Sequence, residues 1–217
     1  MENPLLAFDK QQLLTLGAQV LIGIDEAGRG PLAGPVVACA CCIPPSLAAQ
    51  FEEVNDSKKL SPRKRELLFE KLTSAPIIYG IGFASAREID RLNILQATFL
   101  AMRRAAQKFA TLPPGAVALI DGPHACARLP LRQQPVVDGD AKSLCIAAAS
   151  VIAKVTRDRY LDILDKLYPS YGFAAHKGYG TAQHVSALKQ HGPCPEHRKS
   201  FAPVRDLIAP NGPLFLP

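Results

Sequence analysis

The stretch Val20-Leu21-Ile22-Gly23-Ile24-Asp25-Glu26-Ala27-Gly28-Arg29-Gly30-Pro31-Leu32-Ala33-Gly34-Pro35-Val36-Val37 decides how the rest of the chain is read. Its first half is an apolar run that stops at a carboxylate, the pattern of a buried strand ending at Asp25. The glycines and prolines that follow make a turn-rich loop, and Val36 to Ile43 is a second strand stopped by Pro44-Pro45. Two strands joined so closely form a hairpin-like antiparallel pair. Further on, Ser61-Pro62 gives an N-cap with proline at the first helical position, and a helix runs from Arg63 to Leu72. Pro76 to Ser85 is a third strand. Glu88 to Ala110 repeats apolar residues with a helical period through Ile89, Leu92, Leu95, Phe99 and Met102.

Val117 to Asp121 is a fourth strand, which again ends in an aspartate, and Gln134 to Val137 a fifth that runs into Asp138-Gly139-Asp140. Lys142 to Leu167 is almost free of breakers and reads as one long helix, and Thr181 to Gln190 as another. Three early strands, then helices alternating with two more, predict an α/β domain built on one mixed sheet. The expected organisation is an N-terminal extension over 1–19, a catalytic domain over 20–208 and a Pro- and Gly-rich, poorly ordered tail over 209–217.

The acids are the chemically informative residues. Asp25-Glu26 and Asp121 stand at the ends of two strands, and Asp140 follows a third. Ligands of open α/β sheets bind beyond strand ends, so these carboxylates can converge, although each taken alone reads equally well as a strand-end or turn residue. Converging carboxylates repel one another, and a hard divalent cation, Mg²⁺ or Mn²⁺, relieves the repulsion. Two such ions roughly 3.5–4 Å apart can activate water and stabilise a leaving oxygen in phosphodiester hydrolysis.

Lys and Arg total 25 against 19 acids, a net charge of +6, which is compatible with a polyanionic partner. No apolar run approaches the roughly 18 residues of a membrane span. The start, Met1-Glu2-Asn3-Pro4, lacks the basic region of a secretory signal. The expectation is therefore a cytoplasmic protein with no membrane contact, and nothing demands more than a monomer. The six cysteines show no C-x-x-C spacing and read as buried reduced thiols. His176, His184, His191 and His197 are too scattered to predict a zinc site.

The wording of the motifs is more specific than their pattern. Gly23 to Val37, Asn55-Asp56-Ser57-Lys58-Lys59-Leu60, Glu88-Ile89-Asp90 with Asn93-Ile94, Leu119-Ile120-Asp121-Gly122, Ala147 to Arg159, His176-Lys177-Gly178-Tyr179-Gly180-Thr181 and His197 to Val204 together resemble the ribonuclease HII family, in order and over nearly the whole chain. The resemblance implies a ribonuclease H-like fold, a five-stranded mixed sheet flanked by helices. It also implies an endonuclease that hydrolyses the RNA strand of RNA–DNA hybrids and nicks 5′ of ribonucleotides embedded in duplex DNA, leaving 5′-phosphate and 3′-hydroxyl ends.

Carried over position by position, the resemblance makes Asp25, Glu26, Asp121 and Asp140 the catalytic carboxylates and the ligands of two Mg²⁺ or Mn²⁺ ions. Gly28, Arg29 and Gly30 would surround a ribose 2′-hydroxyl, Lys58 would meet a phosphate, and Tyr179 would stack on the next deoxyribose. The 2′-hydroxyl is what separates RNA from DNA, and glycines allow the backbone to approach a sugar. One position departs from the family: Asp138 stands where a lysine is usual, which makes it a competing carboxylate two residues from Asp140 and motivates an alternative, a hybrid-binding protein with weakened catalysis. The sister ribonuclease HIII family is set aside, because it is expected to carry a larger N-terminal domain and Lys in place of Arg29. Asp158 reads as a structural residue on the long helix, where Arg157, Asp158 and Arg159 have spacing for local ion pairs. Lys154 reads equally as a phosphate contact or as support for that helix.

Overall fold

In the computed structural model, which describes residues 3–51, 53–54, 60–110 and 115–209, the apolar runs pair into one five-stranded mixed sheet. The strands are β1 (Val20–Ala27), β2 (Val36–Cys42), β3 (Ile78–Ala84), β4 (Ala116–Asp121) and β5 (Arg132–Val136), in the spatial order β3-β2-β1-β4-β5. β1, β2 and β3 are antiparallel neighbours, while β4 and β5 run parallel to β1. Pro135, which has no N–H to donate, sits in β5 at the sheet edge, where that loss is tolerated.

The helices are α1 (Pro4–Leu16), α2 (Pro62–Ser74), α3 (Ala86–Leu92), α4 (Ile94–Ala106), α5 (Leu144–Leu167), the single turn α6 (Phe173–His176), α7 (Ala182–His191) and α8 (Val204–Ile208). The sheet is buried on both faces, and the two-residue period of β2 distributes its side chains between them. Val36, Ala38 and Ala40 pack with Ala97, Ala101 and Met102 of α4, whereas Cys39 and Cys41 pack with Cys145, Ala148 and Ile152 of α5. All six cysteines are buried and free. Gly23 explains how closely α5 lies on β1: a Cβ there would fall 2.1 Å from the carbonyl carbon of Cys145. The helix that supplies one wall of the site is thus seated directly on the strand that supplies the first acid.

Three stretches differ from the sequence expectation. The segment before β1 contains a helix, α1, started by the Asn3 side chain accepting from the Leu5 amide at 2.8 Å and by Pro4 in its first turn. The buried Asp9 of α1 then accepts from the Cys145 amide at 3.0 Å, placing a carboxyl at the N-terminus of α5. The helix expected over Glu88–Ala110 is two helices. Asn93, with φ of 67°, breaks the path and caps α4 by accepting from the Gln96 amide at 3.1 Å, while Ser85 and Glu88 form a capping box that starts α3. The segment 170–180, read as loop, holds a 3₁₀ turn and α6. The tail beyond residue 209 and Lys58 lie outside the described residues. No helix among the described residues is long and apolar enough to cross a membrane.

Candidate active site

The parallel pairing of β1 and β4 aligns Ile24 with Ile120, so the next residue on each strand is an aspartate: Asp25 and Asp121 stand side by side. The polypeptide leaving β5 turns back toward them. Its 3₁₀ turn (Gly139–Ala141) donates the Gly139 amide to Asp121 Oδ1 at 2.7 Å and the Asp140 amide to the same oxygen at 3.4 Å. One carboxylate is therefore oriented by the turn that brings in the third. Oxygens of Asp25, Asp121 and Asp140 lie within 4.8 Å of one another, and they form the one such cluster of potential metal-binding side chains found among the described residues.

Asp25 and Asp140 are buried and Asp121 is half-buried. Burial pushes the Asp25 carboxyl well above the usual carboxylate range, and the neighbouring charges of Glu26 and Asp121 push it further. Ser150 of α5 and the Glu26 amide oppose this by donating hydrogen bonds to it. A hard divalent cation is suited to relieve such crowding, and an all-oxygen donor set selects Mg²⁺ or Mn²⁺ rather than zinc. The residues present fit such ions.

Glu26 does not join the close cluster. Strand alternation points it away from Asp25, and Arg29 Nη1 stands 3.3 Å from its Oε1. It nonetheless lines the same cleft, of about 290 Å³, together with Asp25, Asp121, Gly28, Arg29, Gly30 and Tyr179. Tyr179 is 47% exposed, and its ring edge would lie 3.7 Å from a Cβ built on Gly30, so loop and ring flank one gap. Asp138 is exposed, in the left-handed conformation (φ 53°) that aspartate tolerates, and it is not part of the close cluster.

Several residues of the site were not singled out from sequence. Arg65 and Ser150 line the cleft. Two arginines lie under the glycine loop, 1% and 0% exposed. Arg157 does not pair locally. It donates to the carbonyls of Pro35 (3.1 Å), Lys177 (3.0 Å) and Ala33 (3.2 Å). Arg198 donates to Arg29 O (2.8 Å), Gly34 O (3.0 Å) and Gly28 O. Burial lowers both, Arg157 to about 10 and Arg198 to about 9, so both stay charged at neutral pH. Gly28, with φ of 96°, needs to be glycine twice over, because a Cβ would fall 2.0 Å from Arg157 Nε.

The flanking charges on α5 have other partners: Lys154, which also lines the cleft, pairs with Asp158 at 2.7 Å, and Arg159 pairs with Glu66 of α2. The acids of the motif around Glu88 are structural. Glu88 binds Arg104, whose hydrogen bond lowers the Glu88 carboxyl to about 2, and Asp90 accepts from the Lys199 and Ser200 amides at 3.0 and 2.8 Å. His176, His184 and His197, scattered in sequence, gather beside the Tyr179 loop: His176 and His184 stack with ring centroids 4.4 Å apart, and His184 and His197 meet nitrogen to nitrogen at 3.0 Å.

Known proteins resemble this chain in sequence and in fold. The sequence profile of the family described as Ribonuclease HII matches residues 22–204. The ribonuclease HII of Burkholderia mallei (strain SAVP1) is 50% identical over 204 residues, covering 94% of this chain and 90% of that one. Among solved structures, the ribonuclease H2 of Pyrococcus horikoshii OT3 superposes with a TM-score of 0.70 at 26% identity, covering 87% of this chain and 97% of that one. Bst ribonuclease HIII, solved in complex with Mn²⁺, shares the fold with a TM-score of 0.70 at 16% identity, over 90% of this chain and 71% of its own.

Proposed function

The chain belongs to the ribonuclease HII family, a metal-dependent ribonuclease H acting on the RNA strand of RNA–DNA hybrids, and from that premise we propose that it also nicks duplex DNA 5′ of a single embedded ribonucleotide by a two-metal mechanism. The observation that carries this reading is the meeting, in one cleft, of Asp25, Glu26 and Asp121 with the Gly28-Arg29-Gly30 loop and the Tyr179 ring, with Asp140 clustered against the two aspartates. In the proposed arrangement Asp25, Glu26, Asp121 and Asp140 hold two divalent ions, Mg²⁺ or Mn²⁺. Bound there, the ions supply an activated water and charge stabilisation for the leaving 3′-oxygen, leaving 5′-phosphate and 3′-hydroxyl ends.

The remaining work belongs to the chain's own groups. The Gly28-Arg29-Gly30 backbone receives the 2′-hydroxyl, and Gly30, where a Cβ would face the Tyr179 ring, leaves the main chain open to the sugar. Tyr179 lies flat against the following sugar and favours one that lacks the extra hydroxyl. This pairing of contacts selects a 5′-RNA–DNA-3′ junction. Arg29, Arg65 and Lys154 give the cleft positive charge toward the phosphodiester backbone, and Lys58 is assigned to a phosphate on the motif alone.

Cleavage of a DNA duplex containing one ribonucleotide, in Mg²⁺, in Mn²⁺ and in chelator, tests the proposal. The expected result is a metal-dependent nick on the 5′ side of the ribonucleotide. Cutting of continuous hybrids without that nick would remove the junction reading from Tyr179. Binding without cutting of either substrate would favour a hybrid-binding protein in its place.

A further inference from the structure

Tyr179 projects from a strained loop: Lys177 and Gly178 before it have φ of 49° and 80°. Its carbonyl accepts from the Thr181 amide at 2.8 Å and lies 2.9 Å from His184 Nδ1. The Tyr179 carbonyl can only accept, so His184 Nδ1 is the donor. A backbone group fifteen residues away along the chain fixes the same direction from the other end. The Cys194 amide can only donate, and it points at His197 Nδ1 at 3.0 Å, so that nitrogen is the acceptor and the His197 proton sits on Nε2. His197 Nε2 is 3.0 Å from His184 Nε2, which must then accept, leaving the His184 proton on Nδ1, aimed at the Tyr179 carbonyl. An amide donor is thus relayed through two neutral imidazoles to the residue that is to read the sugar.

The relay is buried. His184 and His197 are 0% and 1% exposed, enclosed by the rings of Tyr171, Phe173 and His176. Burial and the neighbouring imidazoles hold His197 down at about 4 and His184 below the ordinary histidine range, so both are neutral at pH 7, as the relay requires. His197 is followed by Arg198, the arginine that grips the Gly28, Arg29 and Gly34 carbonyls. The backbone around them pairs with the same loop: Arg198 N donates to Leu32 O at 2.8 Å, Gly34 N to Glu196 O at 2.9 Å, and Leu32 N to Gly178 O at 2.8 Å. One dipeptide therefore holds both partners of the gap, the glycine loop through Arg198 and the Tyr179 segment through His197 and His184.

We propose that His184 and His197 are positioning residues that fix Tyr179 relative to the Gly28-Arg29-Gly30 loop and thereby set the preference for a ribonucleotide–deoxyribonucleotide junction over continuous RNA. The inference rests on the reading that Tyr179 meets the deoxyribose. Two polar substitutions separate positioning from space-filling. An asparagine amide nitrogen can occupy the place of His184 Nδ1, whereas a glutamine amide nitrogen reaches the place of Nε2. The measured quantity is the ratio of kcat/KM on a single-ribonucleotide duplex to kcat/KM on a continuous RNA–DNA hybrid.

H184N should keep that ratio within about twofold of wild type, and H184Q should lower it about fivefold or more, the worth of one hydrogen bond. Y179A, measured in parallel, should lower it as well. Equal ratios for H184N and H184Q alongside a shifted ratio for Y179A would overturn the relay and leave the Tyr179 reading standing. An unchanged ratio for Y179A would overturn both. If either variant does not fold, nitrogen NMR of the wild-type histidines decides: protons on His184 Nδ1 and His197 Nε2 support the relay, and any other tautomer or an imidazolium at pH 7 overturns it.

Discussion

The cleft joins two regions that solve the problem of buried charge in opposite ways. On one side Asp25, Asp121 and Asp140 crowd like charges within 4.8 Å, and the effect on Asp25 is repulsive. On the other, Arg157 and Arg198 are buried more completely, yet each guanidinium is spread over backbone carbonyls that are already in place. Five fixed N–H donors let an arginine satisfy several carbonyls at once, which the single ammonium of lysine cannot match. The acidic region is built to be completed from outside, and the basic region is complete in the chain itself. Substitutions should therefore separate them: in the first, chemistry is lost and stability gained; in the second, stability and geometry fall together.

The largest effect is expected in the acidic region. Asp121→Asn or Asp25→Asn should reduce cleavage about a thousandfold, ~4 kcal/mol of transition-state stabilisation, while hybrid binding stays measurable. Near-normal turnover in either variant would remove the metal assignment. The same Asp25→Asn change relieves repulsion, so without divalent ions it should raise the melting temperature at pH 7, and adding Mg²⁺ should favour the wild type again. A lower melting temperature in chelator would break the contrast between the two regions.

Next comes the basic region. Arg198→Met strands the carbonyls of Gly28, Arg29 and Gly34, and should cost about 3 kcal/mol. For a domain of this size that lowers the melting temperature on the order of 10 °C by calorimetry. Arg198→Lys should not restore it. Full stability in either variant would show that the loop carries its own conformation.

A smaller effect is expected from pH. His197 is held at about 4 in the folded chain against an ordinary 6.5, so between those values the unfolded chain binds the extra proton. Its contribution to stability is therefore present above pH 6.5 and lost as the pH falls toward 4. His197→Gln, which keeps a donor toward His184, should flatten the fall in melting temperature across that window. An unchanged slope would place the proton uptake elsewhere. The smallest effect belongs to Asp138→Asn, expected to stay within about twofold of wild-type kcat/KM because the side chain is exposed and outside the close cluster, whereas Asp140→Asn should be far more damaging. The reverse order would move the fourth carboxylate to Asp138.

The same contrast explains what could be read in advance. Strands β1, β2 and β4 are uninterrupted apolar runs bounded by Gly, Pro or a carboxylate, so they and the acids at their ends stand out. The N-terminal helix was legible too, because Asn3-Pro4 is a cap followed by proline, but it lay in a segment read as an extension. Asn93 gave a similar signal for dividing the helix beyond Glu88. The arginine clamps were not legible. Arg157 stands next to Asp158 and Arg159 on α5 and looks like a solvated position; only the path of the glycine loop over that helix buries it. Nor could spacing show that His184 and His197 touch, since a turn with no regular period brings them together.

Arg157 and Gly28 have a consequence for descent. The guanidinium fills the volume that any side chain at position 28 would need. A lineage cannot trade this glycine for another residue while the arginine remains. Nor can it shorten the arginine without stranding the carbonyls of Ala33, Pro35 and Lys177. Two positions far apart in the gene are thus inherited as one character, and a search for variants that alters either position singly is steered away from this corner of the cleft.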